Sequence, residues 1–460
     1  MTKTSVWAAF SVWIVVLPTL ACNETPPAVY DYADPDLYAG DGDIDLPPGD
    51  LETDGDGDIE PDNEENEAES TEDADSDVDE GPVYACLRRV ATGGFGDNLN
   101  KHASAMAVFK DRLFVGTFNG DGGSEIQGEP EYSFGGEIWA YDGETWTKII
   151  ERGFGDFDNI AVTTLVAVGG EKLYAGTLNV QTGAQLWVSE NGETWDFVGK
   201  DGLGDPANTA VRAMADFNGQ LIVGTENTQS GAQLIKLRQF ILSAIVRDGI
   251  DSQANTRIGA MTMLRGKLLI GVSGVTGASI YQYDGDAVTR LTGQGRSFDF
   301  PFGHTGVASM TVHNERYLYA GTENLVNGFG VFRSRDLSRY LQLESDGFGD
   351  RAQAYGWSLA SFQGSLFVGA FNQGSLLNPL ESGGAIFKSD DGESFTKLVG
   401  DEGPWAGPGI DNDRNYGFPS MAVYRDKLYV GTGQCYSCGG REGLEVWEID
   451  DADCVGGFAR

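Results

Sequence analysis

The chain has 460 residues, with 70 Asp and Glu against 31 Lys and Arg, a formal net charge of −39, and 65 glycines. Such an acidic balance, and the basic patches it leaves missing from the sequence, argue against nucleic acid as a partner. Only three histidines (His102, His304 and His313) are present, so a histidine-based metal centre is poorly supported.

The chain opens with one early cation, Lys3, and an apolar run from about Ser5 to Ala21 that is too short and one-sided for a spanning helix. Residues 1–22 read as a secretory signal. Its end, "TLAC", resembles the lipobox of bacterial lipoproteins, which implies lipidation at Cys22; Thr19 departs from that pattern, and ordinary cleavage after Ala21 is the alternative. Setting Cys22 aside leaves Cys86, Cys435, Cys438 and Cys454, an even set suited to an oxidising compartment. The C-x-x-C of Cys435 and Cys438 reads as a local disulfide.

Residues 23–82 form an acidic linker. Within 31–80 there are 23 Asp and Glu and no Lys or Arg, so the segment repels itself, has little to bury, and reads as a disordered spacer. Asp54, Asp56 and Asp58 alternate as in calcium loops, but an EF-hand frame from Glu52 puts Asn63 where the bidentate Glu belongs. Beyond the linker, residues 81–460 hold 46 acids against 30 Lys and Arg, a net of −16.

Residues 83–460 repeat a strand-like phrase ending in Gly-Thr or a close variant. Its glycines are Gly116, Gly176, Gly224, Gly271, Gly321, Gly369 and Gly431, at intervals of 60, 48, 47, 50, 48 and 62 residues. Each repeat divides into four short runs broken by Gly, Asp and Asn, as in "SAMAVFK", "RLFVGTF", "GEIWAYD" and "TWTKIIE". The period predicts an all-β fold, a seven-bladed β-propeller of four-stranded antiparallel blades. "LIKLRQFILSAIV" (234–246) is assigned to strands despite passing for a helix. A second register pairs Asn100 with Met106, Asn159 with Leu165, Asn208 with Met214, Asn255 with Met261, His304 with Met310, Ala354 with Ala360 and Asn415 with Met421. These residues, with the "GFGD" loops, are expected to shape turns rather than to bind.

The last repeat ends after three runs, while "VYACLRRVATGGFGD" (83–97) reads as an orphan fourth run and loop. The N-terminal strand is therefore expected to complete the last blade, bringing Cys86 to Cys454 as a disulfide.

The segment "SENGETW" (189–195), with partial copies at 141–146, 283–288, 334–340 and 389–395, resembles the Asp-box hairpin of sialidases and other propellers. That resemblance implies fold: Asn191 and Gly192 make the turn and Trp195 packs. A sialidase-like glycoside hydrolase would need three converging arginines and paired carboxylates; Arg212 and Arg257 lie near inner strands without an evident third. Residues 83–460 also resemble bacterial secreted or lipid-anchored propellers with "LYVGT…GxxVW…DGxxW…GFGD" blades, which implies an extracytoplasmic address at the outer membrane or cell surface, or a secreted one. The expected role is non-catalytic binding of a protein, glycan or other surface ligand by a monomer without a cofactor; a hydrolase and a structural scaffold are the alternatives. Candidate binding residues are Lys101, His102, Tyr132, Phe134, Arg212, Arg257, Tyr355, Trp357, Tyr416 and Tyr436, several of them on the long loops 118–136, 371–384 and 433–443.

Overall fold

The computed structural model describes residues 84–120, 133–293, 295–374, 383–435 and 442–454. The signal, Cys22, the acidic linker with Asp54, Asp56 and Asp58, and Tyr132, Tyr436 and Cys438 lie outside the described residues.

The described residues form an all-β, antiparallel structure of 28 strands. By hydrogen-bonded pairing the strands fall into seven quartets. The first is Asn100–Phe109, Arg112–Asn119, Ile138–Tyr141 and Trp146–Ile150, each paired with the next. The segment 234–246 forms two strands, Leu234–Arg238 and Ile241–Val246, as its place in the repeat required. The seventh quartet has three strands from the C-terminal end, Asn415–Tyr424, Lys427–Gln434 and Val446–Ile449; its fourth is Arg88–Ala91, antiparallel to Val446–Ile449 with Arg88 opposite Glu448. Cys86 and Cys454 are disulfide-bonded across 368 residues of sequence, with their Cα atoms 5.7 Å apart. Cys435 also takes part in a disulfide.

The repeated glycine answers to a steric demand. A Cβ on Gly116 would sit 2.8 Å from Val162, and one on Gly369 2.8 Å from Phe418, in each case on the first strand of the following quartet. Backbones of neighbouring quartets approach so closely there that no side chain fits. Gly431, in the last quartet, meets Ala103 of the first in the same way. His102 in addition pairs with Gly433, as Ala161 pairs with Phe118 between quartets one and two.

The Asn register is a buried hydrogen-bond knot. Asn100 Nδ2 donates to Gly94 O at 3.0 Å while its Oδ1 accepts from Thr117 Oγ1 at 2.8 Å and from Asn119 Nδ2 at 3.1 Å. Asn159 and Asn208 repeat the pattern with Gly153 and Thr177, and with Gly202 and Thr225. Each knot ties the loop before a first strand to the end of the second strand, satisfying polar groups that burial would otherwise penalise. The sixth quartet corrects the sequence frame by one residue. The pinned position is Gln353, whose carbonyl accepts from Phe329 N as Asn159 O accepts from Gly136 N, and Leu359 rather than Ala360 stands opposite Val368 as Met106 stands opposite Val115. Ala370 replaces the usual Thr there, and Gln353 Oε1 is buried without a donor among the described residues.

The hairpin at 189–195 is a turn built by its side chains. Ser189 Oγ accepts from Gly192 N at 2.7 Å, and Asn191 Oδ1 accepts from the amides of Glu193 and Thr194 at 2.8 and 2.9 Å. Trp195 packs edge-on against Phe154 in the loop between the first and second quartets, with ring centroids 5.8 Å apart.

Candidate functional site at the mouth of the first strands

Each first strand carries a register shift about four residues after its pinned Asn, His or Gln. The shifts fall at Ser104, Thr163, Arg212, Gly259, Ala308, Trp357 and Pro419, one per quartet. A bulge re-aims the extra residue out of the ladder. All seven line one cleft of about 200 Å³. Five of the seven are small or compact, so Arg212 and Trp357 supply most of the chemistry on this tier. A second tier comes from two residues after the pinned position (His102, Ala161, Arg257, Tyr355) and from the residue after Gly-Thr on the second strand (Phe118, Leu178, Glu323).

The lining divides in two. Across quartets three to five runs a ladder of alternating charge. Arg212 Nε binds Glu226, and Arg257 Nη2 binds Glu323 and donates to Ser273 Oγ at 3.3 Å. Burial pushes the Glu226 carboxyl up, but the charges of Arg212 and Arg257 and the Arg212 hydrogen bond outweigh it, so the group titrates below its ordinary value. Burial likewise opposes the charge on Arg257, and Glu323 and Glu226 overcome it, raising its pKa. Arg257 Nε is buried without an acceptor among the described residues. Burial, reinforced by the Glu323 charge, pushes the Tyr355 hydroxyl up to about 12.

Opposite the ladder stands an aromatic wall of His102, Phe118 and Trp357, from quartets one and six, backed by Tyr416 and Phe371. His102 stacks on Phe118 at 4.9 Å, and Trp357 stacks on Tyr416 at 5.9 Å and meets Phe371 edge-on at 5.3 Å. His102 Nε2 and Tyr416 Oη are hydrogen-bonded at 2.6 Å. Burial, with a smaller contribution from the Lys101 charge, lowers the His102 pKa to about 4, so the ring is neutral at ordinary pH.

Of the residues singled out from sequence, His102, Arg212, Arg257, Tyr355 and Trp357 meet in this cleft. Lys101 and Tyr416 do not line it. Each is one residue past its pinned Asn, and strand alternation turns it to the other side of the strand. Lys101 is buried there with Nζ donating to Glu442 O at 3.1 Å, and Tyr416 backs His102. Phe134 is 57% exposed on the rim, edge-on to Phe157 at 6.4 Å, and stands apart from the cleft lining. Glu226 and Glu323 went unnoticed in the sequence. Their signal was positional: the residue after Gly-Thr or its variant is Phe118, Leu178, Glu226, Ser273, Glu323, Phe371 and Gly433, so two carboxylates stand among apolar or small residues. Among the described residues, no group of three or more His, Cys, Asp or Glu gathers as a metal site.

No family model matches the chain. No curated protein matches it in sequence either. Among solved structures, the extracellular domain named for the hybrid two-component system BT3049 of B. thetaiotaomicron superposes with a TM-score of 0.51 at 12% identity, covering 80% of this chain and 42% of that one. This chain thus spans less than half of that domain. Two chains named for 6-phosphogluconolactonase, from Bacteroides uniformis and Bacteroides fragilis, give TM-scores of 0.47 at 13% and 12% identity, covering 70% of this chain and 89% and 88% of theirs. At such identities the likeness to the extracellular domain is one of fold alone.

Proposed function

We propose that the seven quartets are the blades of a closed seven-bladed propeller, exported and held at a cell surface, whose cleft binds a neutral polyhydroxylated ring such as the terminal sugar of a surface glycan. The observation that carries this reading is the pairing of a charge-balanced ladder with an aromatic wall. Arg212 and Arg257 donate and Glu323 accepts at the lining, while Glu226 neutralises Arg212, so the four charges sum to zero, which suits adjacent hydroxyls rather than a charged ligand. Trp357, Phe118 and the neutral His102 offer ring faces to the apolar side of a sugar. The volume of about 200 Å³ fits one ring rather than a long oligomer. Export is supported by the leader-like residues 1–22 and by the Cys86–Cys454 disulfide, which needs an oxidising compartment. Attachment through a lipid on Cys22 is part of the same proposal; mass spectrometry of the membrane fraction tests it by the added mass on Cys22.

Hydrolysis fits less well. Of the two carboxylates in the ladder only Glu323 lines the cleft, and a glycosidase needs a pair of which one holds a proton. Glu226 is instead kept ionised by two arginines, and Glu323 is bound to Arg257. The test is a glycan array probed with the full chain, followed by titration of any hit against W357A and R257M. Binding that drops at least tenfold in both variants, with no product released from the hit, supports the proposal. Silence across the array, or hits indifferent to both substitutions, sinks it.

A further inference from the structure

We propose that the outer hairpin of the fifth quartet is a second, independent site that binds sulfate or phosphate esters on a surface polysaccharide. It lies at the end of the strands opposite the cleft, because the turns between third and fourth strands face away from the starts of the first strands. The proposal goes beyond the cleft reading and shares with it only the surface address.

Among the turns that keep the Ser-x-Asp/Asn frame or its Asp-Gly part, this hairpin departs in charge; the third quartet's turn, Arg238-Gln239-Phe240, lacks the frame and carries a single arginine. The corresponding turns at 141–146, 189–195, 283–288 and 389–395 each carry two or more acids and no Lys or Arg. At 334–340 the sequence is Ser-Arg-Asp-Leu-Ser-Arg-Tyr. Asp336 Oδ1 accepts from the amides of Ser338 and Arg339, both at 2.9 Å, and Ser334 Oγ accepts from Leu337 N at 3.0 Å. These are the bonds that Asn191 and Ser189 make in the second quartet. Leu337 takes the left-handed position, at φ 63°, that Gly192 and Gly392 occupy elsewhere, and its side chain packs against a core shared by the fourth and fifth quartets. The turn therefore folds without any hydrogen bond from the side chain of Arg335 or Arg339, although the Arg339 backbone takes part in it.

Those two guanidiniums stand in the open. Both residues are exposed, and among the described residues neither has an ion-pair partner. They border a depression of about 400 Å³ with Arg333, Asp336, Tyr317 and Tyr340. Arg333 is fixed: Nη2 binds Glu393 at 2.7 Å, Nη1 donates to Gly392 O at 3.2 Å, and its guanidinium lies 4.9 Å from the Tyr317 ring centroid. Arg316 lies 5.2 Å from the same centroid, so the tyrosine packs against two cations. Asp336 is the carboxylate of the lining, with one oxygen engaged by the turn amides. In a body of net −16, the side chains of Arg335 and Arg339 make no hydrogen bond or ion pair among the described residues that would hold the hairpin. Guanidinium forks match tetrahedral oxyanions, and an open depression suits a substituent on an extended polymer better than an engulfed molecule.

The experiment immobilises heparin as the sulfated polysaccharide and phosphomannan as the phosphorylated one, and measures binding of the full chain while salt is raised. The expected result is salt-sensitive retention on at least one polymer, with R335A/R339A binding roughly tenfold more weakly. Heparin alone assigns sulfate, phosphomannan alone assigns phosphate, and both together assign the shared oxyanion. K200A/R238A removes the same charge from exposed positions elsewhere and is expected to stay within about twofold of the parent. No retention on either polymer, or equal losses in the two double variants, overturns the proposal. Thermal midpoints check that both variants remain folded, and cleft binding unchanged in R335A/R339A separates this site from the first.

Discussion

Replacing Cys86 and Cys454 by serine tests how the N-terminal strand is held. The bond closes 368 residues, and constraint of the unfolded chain over a loop of that length contributes at most about 6 kcal/mol at 25 °C. The native contacts survive its removal. Arg88–Ala91 still pairs with Val446–Ile449, Tyr84 Oη still donates to Asp411 at 2.9 Å, and Tyr84 still packs edge-on to Trp447 at 5.4 Å. The strand should therefore stay docked, and the loss should appear in the unfolding equilibrium. Guanidinium titrations followed by tryptophan fluorescence suit this, because Trp146 Nε1 donates to Val90 O at 2.8 Å and Trp405 Nε1 to Cys454 O at 3.2 Å across the closure. The C86S/C454S variant should unfold at a clearly lower denaturant midpoint with a steeper slope, since the unlinked chain exposes more surface. An unchanged midpoint would refute the reasoning, as would loss of the native tryptophan signal before any denaturant is added.

Other consequences concern the charge ladder, acid stability and quartet packing. E323Q and R257M should each destabilise the fold by about 3 kcal/mol by leaving a buried charge short of its partner, while the double variant loses less than their sum; simple additivity in denaturant titrations would rule out the coupling. His102 and His304 are both lowered by burial to about 4, below the ordinary 6.5. Their contribution is present in full above pH 6.5 and is lost as pH falls from 6.5 toward 4, so the denaturant midpoint should decline over that window and decline less in H304N. Glu226, held below its ordinary 4.5, adds a further loss only below that pH. G431A should cost at least about 2 kcal/mol, because its Cβ meets Ala103 and lies 2.9 Å from Met106, whereas G219A, with open space around it, should cost about 1 kcal/mol from its φ of 78° alone; equal thermal shifts would count against the packing argument.

Much of the fold was legible because its determinants are local and repeat. The Gly-Thr phrase or its variant marks the close approach of one quartet to the next, and a pinned residue, Asn in five of the seven repeats, marks the loop before each first strand. The frame slipped where the chemistry changed. In the sixth repeat neither Gln353 nor Ala354 is the usual Asn, so residue type misled; the spacing to Gly369, 16 residues from Gln353 as from Asn100 to Gly116, and the hydrogen bond from Phe329 N both select Gln353. The site was legible by half. Lys101 and His102 are adjacent, so an alternating strand sends only one of them into the cleft. Glu226 and Glu323 looked like ordinary strand ends until their neighbours across the quartets were known.

What the sequence by itself determined was the repeating unit: four short strands, the turns between them, the glycine that admits the next quartet, and an orphan run whose cysteine waits for a partner at the other end. These follow from residues within about 60 positions of one another, where periodicity and turn chemistry act. The tertiary structure decided which side chains meet at the cleft and its charge ladder. Arg212, Glu226, Arg257 and Glu323 are spread over 111 residues and meet because bulged first strands from successive quartets converge at one end. That convergence depends on how each quartet packs on the next, and no period along the chain encodes the charge that two neighbours will place side by side.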